Sequence, residues 1–183
     1  MIRTKPDARK RLVSRTIGSP VGALTLVASS AGLAAILWEN DDPQRVRLDI
    51  VAADARNPIL VETERQLAEY FAGGRTAFDL PLDFAGTEFQ ARVWRALLTI
   101  PFGETRTYLQ IARQIGRPKA VRAVGAANGK NPISIVAPCH RVIGSNGALT
   151  GFAGGLAAKA WLLRLEGARA EPAAAGKPVE RAA

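Results

Sequence analysis

Cys139 and His140 are the single cysteine and the single histidine of a 183-residue chain, and they stand side by side, followed by Arg141, in the segment I-S-I-V-A-P-C-H-R-V-I-G. A thiol attacks only as its thiolate, so it needs a proton acceptor or a positive charge beside it, and imidazole and guanidinium supply both. Successive residues of a regular strand or helix point to different faces, so a direct Cys139–His140 bond requires the chain to bend. Pro138 supplies a bend, and a bridging water is the other route. Taken singly, a lone cysteine reads as an inert buried side chain and a lone histidine as a packed ring. Together, after a proline, two readings stand side by side: a nucleophile with its base, and two packed side chains.

The bulk composition narrows the setting. One cysteine cannot close an internal disulfide, and one Cys with one His cannot assemble a structural zinc site. The basic N-terminus, M-I-R-T-K-P-D-A-R-K-R-L, has no apolar signal-peptide core, and no apolar run reaches membrane-spanning length. A metal-free protein of the reducing cytoplasm is expected. The net charge of +9 is unevenly placed. Residues 1–87 carry 11 basic and 11 acidic side chains, whereas residues 88–170 carry 12 basic ones against Glu88, Glu104 and Glu166 alone. A balanced first half beside a basic second half points to a polyanion, nucleic acid above all, on the second.

The elements that must position Cys139 follow from patterning. Val13 to Glu39 reads as strands broken by S-P-V-G and S-S-A-G turns. Pro58 to Phe71 repeats apolar residues at helical spacing until Gly73 and Gly74 stop it. Phe78 to Phe84 alternates like a further strand or an extended linker, and the domain boundary is set at A-G-T, 85–87. Thr87 is then the N-cap of a helix whose stripe is Phe89, Val93, Trp94, Leu97 and Leu98. Thr107–Gly116 is a second helix and 117–129 a third, with Pro118 in its first turn, so the pair is a helix-turn-helix candidate. Ile133–Val136 reads as a short buried strand, 150–155 as a Gly-rich loop, and Leu156–Glu166 as the last helix.

The third helix is unusual for a reader of base edges. Lys119 and Arg122 are the only long polar side chains between 118 and 128, and the expected exposed positions include Ala120, Ala123, Ala126 and Ala127. Major-groove readout needs longer polar side chains. Small ones permit close backbone approach to a minor groove, read with little sequence discrimination.

Pro138–Val142, P-C-H-R-V, resembles the active-site motif of the O6-alkylguanine-DNA alkyltransferases, the methylated-DNA-protein-cysteine methyltransferases. The resemblance continues in F-Q-x-x-V-W at Phe89–Trp94, I-P-F-G-E-T-x-x-Y at Ile100–Tyr108, R-A-V-G-x-A-N at Arg122–Asn128, N-P at Asn131–Pro132, and G-G-L-x-x-K-x-x-L-L-x-x-E-G at Gly154–Gly167. It covers essentially all of 86–168. The resemblance implies an α/β protein: a ribonuclease-H-like sheet-plus-helix domain (1–86) and a mainly α-helical domain with the helix-turn-helix (87–170); the tail (171–183) has no apolar periodicity and is expected to be disordered.

It also implies a reaction. The family moves an alkyl group from O6 of guanine to a cysteine sulfur by in-line transfer. The thioether has no easy leaving path, so each molecule repairs once, without a donor cofactor. By motif position Cys139 is the acceptor, His140 takes its proton through a water, Glu166 orients the imidazole, and Asn131 ties the turn near the helix pair to the active-site loop. The target base must leave the stack through the minor groove. Arg122 matches the arginine that fills the vacated space, and Tyr108 the tyrosine that helps rotate the nucleotide and bonds N3. The carbonyls of Cys139 and Val142 would accept from the exocyclic amine, and the loop at Phe152 and Ala153 would offer an N–H to O6. Arg117, Lys119, Arg122 and Ser145 would contact DNA. The partner implied is double-stranded DNA carrying O6-alkylguanine, met by a monomer, with cooperative assembly on DNA left open and no membrane involved.

Departures from the family pattern are specific. Phe152 and Ala153 stand where many members carry Tyr followed by Ser or Gly, so two hydroxyl contacts are missing. Ser134 replaces a second proline found in some members. No Cys or His in the first half can hold the zinc that some members bind there. A damage sensor without transfer chemistry is disfavoured by Cys139 itself, and a cysteine hydrolase by the direct adjacency of Cys and His, which hydrolases bring together from distant segments.

Overall fold

The computed structural model describes residues 11–168. The tail at 171–183 lies outside the described residues. β1 (Leu12–Ile17), β2 (Leu24–Ala28) and β3 (Leu33–Trp38) form an antiparallel meander, and β4 (Ile50–Ala53) joins β1 in parallel, giving the order β3-β2-β1-β4. The chain reverses at the two turns that the sequence predicts. β4 carries no periodic signal because all four of its residues are exposed, so backbone pairing along β1 recruits it, not burial. Phe78–Phe84 is extended rather than a full strand: Leu33 N donates to Pro81 O and Asp83 N to Leu33 O, each at 2.8 Å, around a single bridge between Leu33 and Leu82.

α1 (Pro58–Phe71) covers the sheet. Asn57 caps it by accepting from Ile59 N and Leu60 N, Pro58 fills the first turn, and Leu60, Thr63, Leu67 and Tyr70 make the buried stripe. The second half contains α2 (Glu88–Leu97), α3 (Tyr108–Gln114), α4 (Val121–Gly129) and α5 (Gly155–Leu165). Thr87 with Gln90 and Thr107 with Gln110 form reciprocal capping boxes that start α2 and α3. β5 (Arg106–Thr107) and β6 (Val142–Ile143) pair in parallel, Arg106 opposite Val142 and Thr107 opposite Ile143. This short ladder sets the start of α3 beside the Cys-His turn.

Four sequence expectations are corrected. Leu98, expected in the stripe with Leu97, lies past the end of α2 and is exposed. The third helix begins at Val121 and not at 117, because Pro118 disfavours helical backbone at Arg117; Pro118 and Lys119 instead occupy a turn closed by Ala120 N donating to Arg117 O at 2.9 Å. Ala127 is buried rather than exposed, packed in the helical core. Ile133–Val136 is not a strand: Ile133 makes one bridge to Ile36, and the chain then turns through Ile135 at φ 73°. A short apolar run bracketed by Pro132 and Pro138 does not distinguish a strand from a buried turn.

The cores also cross the sequence boundary. Leu24, Leu26, Ile36, Leu60 and Leu67 of the first half pack with Ile133, Ile135, Ala158 and Leu162 of the second. A separate cluster joins Val93, Trp94, Leu97, Ile111 and Val124 to Cys139 and Val142. Among the described residues no helix is long and apolar enough to cross a membrane.

Candidate active site

After Pro138 the chain bends into a 3-10 turn, Cys139–Arg141, which runs directly into β6. Cys139 is 3% exposed and His140 fully buried. The thiol Sγ lies 4.0 Å from Ser134 Oγ, at the edge of hydrogen bonding for sulfur. It faces a cavity of about 10 Å³ walled by Asn128, Asn131, Ser134, Gly151 and Phe152.

His140 turns away from the thiol toward α5. Its Nε2 is 2.8 Å from Glu166 Oε1, and Nδ1, buried, has no hydrogen-bond partner in the protein. With the carboxylate accepting, Nε2 carries the proton and Nδ1 keeps its lone pair. Glu166 gathers further donors: Arg141 Nε to Oε2 at 2.8 Å, Arg141 Nη2 to Oε1 at 2.9 Å, and Tyr70 hydroxyl to Oε1 at 2.6 Å. Arg141 Nη1 also donates to Ile100 O. Arg141 is thus committed to Glu166, and the positive groups that act on the thiol are Lys159 and Arg45 instead.

Burial pushes the Cys139 thiol above its ordinary range, and hydrogen bonding to Asn131 and Ser134 and the charges of Lys159 and Arg45 oppose this without cancelling it. Burial likewise pulls His140 below its ordinary value, outweighing the bond and charge of Glu166. Burial would raise Glu166, but the bonds from His140, Arg141 and Tyr70 prevail and hold it near about 2. The resting site is therefore a neutral thiol, a neutral imidazole and an ionised carboxylate. Such a site is stable in its closed form and generates a thiolate only when a proton moves.

The loop that carries Cys139 is held from three sides. Asn131 Nδ2 donates to Ala137 O at 2.7 Å while Asn131 Oδ1 accepts from Ile133 N at 3.0 Å, closing the left-handed turn at Ile135. Arg45, in the β3–β4 connection, donates to Asn131 O and is paired with Asp41. Lys159, fully buried on α5, donates to Val142 O at 2.6 Å and Thr150 O at 2.8 Å, and burial lowers it to about 8.

Tyr108 opens α3 directly after β5, and its hydroxyl is 2.9 Å from Thr150 Oγ1; burial raises it. Its ring faces Gly125 of α4, where an added Cβ would meet Tyr108 Cδ1 at 3.8 Å. Arg122, one turn before Gly125, is exposed on α4 and therefore shares that face. An open groove of about 790 Å³ runs along Tyr108, Gly125, Ala126 and Gly129 to the loop of Phe152 and Ala153. Phe152 is fixed edge-on against Trp38, centroids 5.2 Å apart. Gly154 sits so close to the Trp38 ring that a Cβ there would fall 2.5 Å from Cε3, so only glycine lets the loop lie flat on the sheet. Val142 O already accepts from Lys159, and Cys139 O from Val142 N. Arg117 and Lys119 are exposed in the turn before α4, and Ser145 is exposed in the turn after β6. Among the described residues no cluster of His, Cys, Asp and Glu could hold a metal ion.

Four contributors carry little signal in the sequence: Tyr70, Arg45, Asn128 and Lys159. Tyr70 reads as one more apolar stripe residue of α1, and Arg45 lies in a connection without periodicity. Asn128 and Lys159 fall within motifs already recognised, yet only the fold shows Asn128 Oδ1 buried without a partner beside the thiol and Lys159 bridging two carbonyls.

Comparison with known proteins agrees with this geometry. The family model for the 6-O-methylguanine DNA methyltransferase DNA binding domain matches residues 88–168, and that for the family's ribonuclease-like domain matches 12–84. The methylated-DNA–protein-cysteine methyltransferase of Mycobacterium bovis is 51% identical over 158 residues, covering 85% of this chain and 93% of that protein. The Shigella flexneri protein of the same name is 48% identical over 167 residues, covering 86% and 96%. A crystal structure of Mycobacterium tuberculosis O6-methylguanine methyltransferase superimposes with a TM-score of 0.76 at 50% identity, covering 89% of this chain and 96% of that one. A complex of the M. tuberculosis protein with DNA gives 0.76 at 49%, covering 88% and 96%. With both halves matched in order, and His140, Arg141 and Glu166 in one buried network directly after the thiol-bearing residue, the chain belongs to the 6-O-methylguanine DNA methyltransferase family.

Proposed function

We propose that this protein repairs DNA by moving the alkyl group of O6-alkylguanine, once per molecule, onto Sγ of Cys139. The observation that carries the reading is the ordered set Cys139, His140 and Glu166, in which one imidazole nitrogen is tied to a carboxylate and the other is left with its lone pair. The thiol proton passes to His140 through a water, the S–C bond forms as the O6–C bond breaks, and the electron pair stays on guanine, which takes up a proton. Glu166 orients the ring and stabilises the imidazolium while remaining ionised. Sulfur holds the alkyl group as a thioether, so the protein is consumed and no cofactor takes part.

A cavity of about 10 Å³ at Sγ cannot hold a base, whereas the adjoining groove, about 790 Å³, has ample room. The two share Arg45, Gly129, Gly151, Phe152 and Ala153, so the flipped base enters where the 150–153 loop yields. Arg122 fills the gap it leaves in the stack. Tyr108 exchanges its Thr150 contact for the base's N3. Val142 O and Cys139 O have second lone pairs for the exocyclic amine, and Asn128 Oδ1 is a further acceptor in the same wall. Phe152 and Ala153 serve O6 through backbone N–H. Asn131 holds the loop on which the thiol rides.

Residues 87–170 carry the chemistry and the DNA contacts through Arg117, Lys119, Arg122 and Ser145, and residues 1–86 brace them. The protein works as a monomer in the reducing cytoplasm, which keeps a free thiol reduced. Titrating the protein against a duplex containing O6-methylguanine tests the reading. One guanine restored per protein molecule is expected, with a plateau when all protein is spent. Continued turnover, or tight binding with no guanine restored, would overturn it; a sigmoidal binding curve in the same titration reports cooperative assembly.

A further inference from the structure

Tyr70 belongs to α1, in the ribonuclease-like half, yet its hydroxyl ends on the carboxylate of the other half. Its ring is fully buried and set by edge contacts with Phe71 at 5.5 Å and Phe102 at 6.2 Å and a tilted contact with Phe78 at 5.3 Å. The hydroxyl donates to Glu166 Oε1 at 2.6 Å, the same oxygen that meets His140 Nε2 at 2.8 Å and Arg141 Nη2 at 2.9 Å. Burial, reinforced by the charge and hydrogen bond of Glu166, holds the phenol well above its usual range, so it remains a donor wherever the protein is folded.

We propose that Tyr70 is a positioning residue for alkyl transfer: its hydroxyl fixes Glu166 Oε1 and draws charge from it, and so sets both the orientation and the basicity of His140. The inference rests on the role of His140 given above. A carboxylate oxygen has two lone pairs, and here three donors converge on one. The phenol therefore competes with imidazole for the same electron density. Without it, Oε1 would bind the imidazolium more strongly and His140 would protonate at higher pH, losing the free Nδ1 lone pair that the thiol proton requires. The other groups acting on His140 are Glu166, Arg141 and Lys159, the last two of which oppose its protonation. The first domain thereby takes part in the chemistry without touching the substrate.

The chain has one histidine, so its ring nitrogens can be followed without assignment ambiguity. Long-range proton–nitrogen NMR of the intact protein should show the Nε2–H tautomer. In Tyr70→Phe, which keeps the packing and removes the donor, the His140 titration midpoint should move up by about one pH unit. The acid limb of the single-turnover transfer rate should move with it. Site-specific 3-fluorotyrosine at position 70, a stronger donor of nearly the same shape, should move both the opposite way. An unmoved midpoint in both variants, or a rate lowered equally at all pH with no shift, would reduce Tyr70 to packing and overturn the proposal. Absence of transfer by the unmodified protein, with the NMR shifts intact, would instead strike the proposed reaction.

Discussion

His140 and Glu166 meet through Nε2 and Oε1 at 2.8 Å, and that single contact decides which imidazole nitrogen is free for the thiol. Replacing the carboxylate by an amide tests it. In Glu166→Gln the ring loses the charge that stabilises imidazolium, and transfer should fall by roughly 10² to 10⁴. Arg141, 2.8 Å from Glu166 and buried with it, loses its counter-charge, so unfolding free energy should drop by about 3–5 kcal/mol. Binding to undamaged DNA should be unchanged, because Glu166 is inaccessible. Single-turnover transfer, urea unfolding and a gel shift on the same preparation report the three effects.

Lys159 gives a pH signature of the same sign as a carboxylate held below its ordinary value, but in the alkaline range. Its folded value, about 8, lies below the ordinary 10.5, so between the two the unfolded chain binds the extra proton. Stability must therefore rise with pH through that window as the burial penalty on the charged form is relieved. Lys159→Met should lose that rise relative to wild type, measured by urea unfolding across the window. The variant also strips the donor from Val142 O and Thr150 O, and transfer should slow even where stability is matched.

Asn131 closes two buried hydrogen bonds around the left-handed turn at Ile135. Asn131→Ala should destabilise by about 1–3 kcal/mol through the orphaned Ala137 carbonyl and Ile133 amide. Faster amide exchange should be confined to residues 131–139, with slower transfer.

The basic residues of the turn and of α4 should separate by role. Arg117→Ala and Lys119→Ala should each weaken binding to any duplex and reduce the salt slope of log K by about 1. Arg122→Ala should do the same and also slow transfer from a duplex lesion while sparing transfer from a lesion in single-stranded DNA, where no stack needs to be held open. Fluorescence anisotropy over a salt series and single-turnover assays on both substrates measure this.

Much of this site was legible because its residue types are scarce. With one Cys, one His and three carboxylates in the basic half, chemistry could reside in few places, and the capping residue Thr87 marked the start of α2. Boundaries were less legible where a proline acts on its neighbour, as at Arg117, or where burial and strand pattern coincide, as at Ile133–Val136. β4 was invisible because backbone pairing, not side-chain burial, holds it. Tyr70 and Arg45 could not be read as site residues at all: their partners Glu166 and Asn131 lie 96 and 86 positions away, a relation that only the shared core creates.

The central claim is that Cys139 Sγ ends the reaction covalently bound to the carbon that began on guanine O6. Peptide mass spectrometry after incubation with an O6-methylguanine duplex should find S-methylcysteine at position 139, one per molecule, with the duplex restored to guanine and no such product from Cys139→Ala. Restored guanine with Cys139 unmodified, or a methyl group on any other residue, would contradict it.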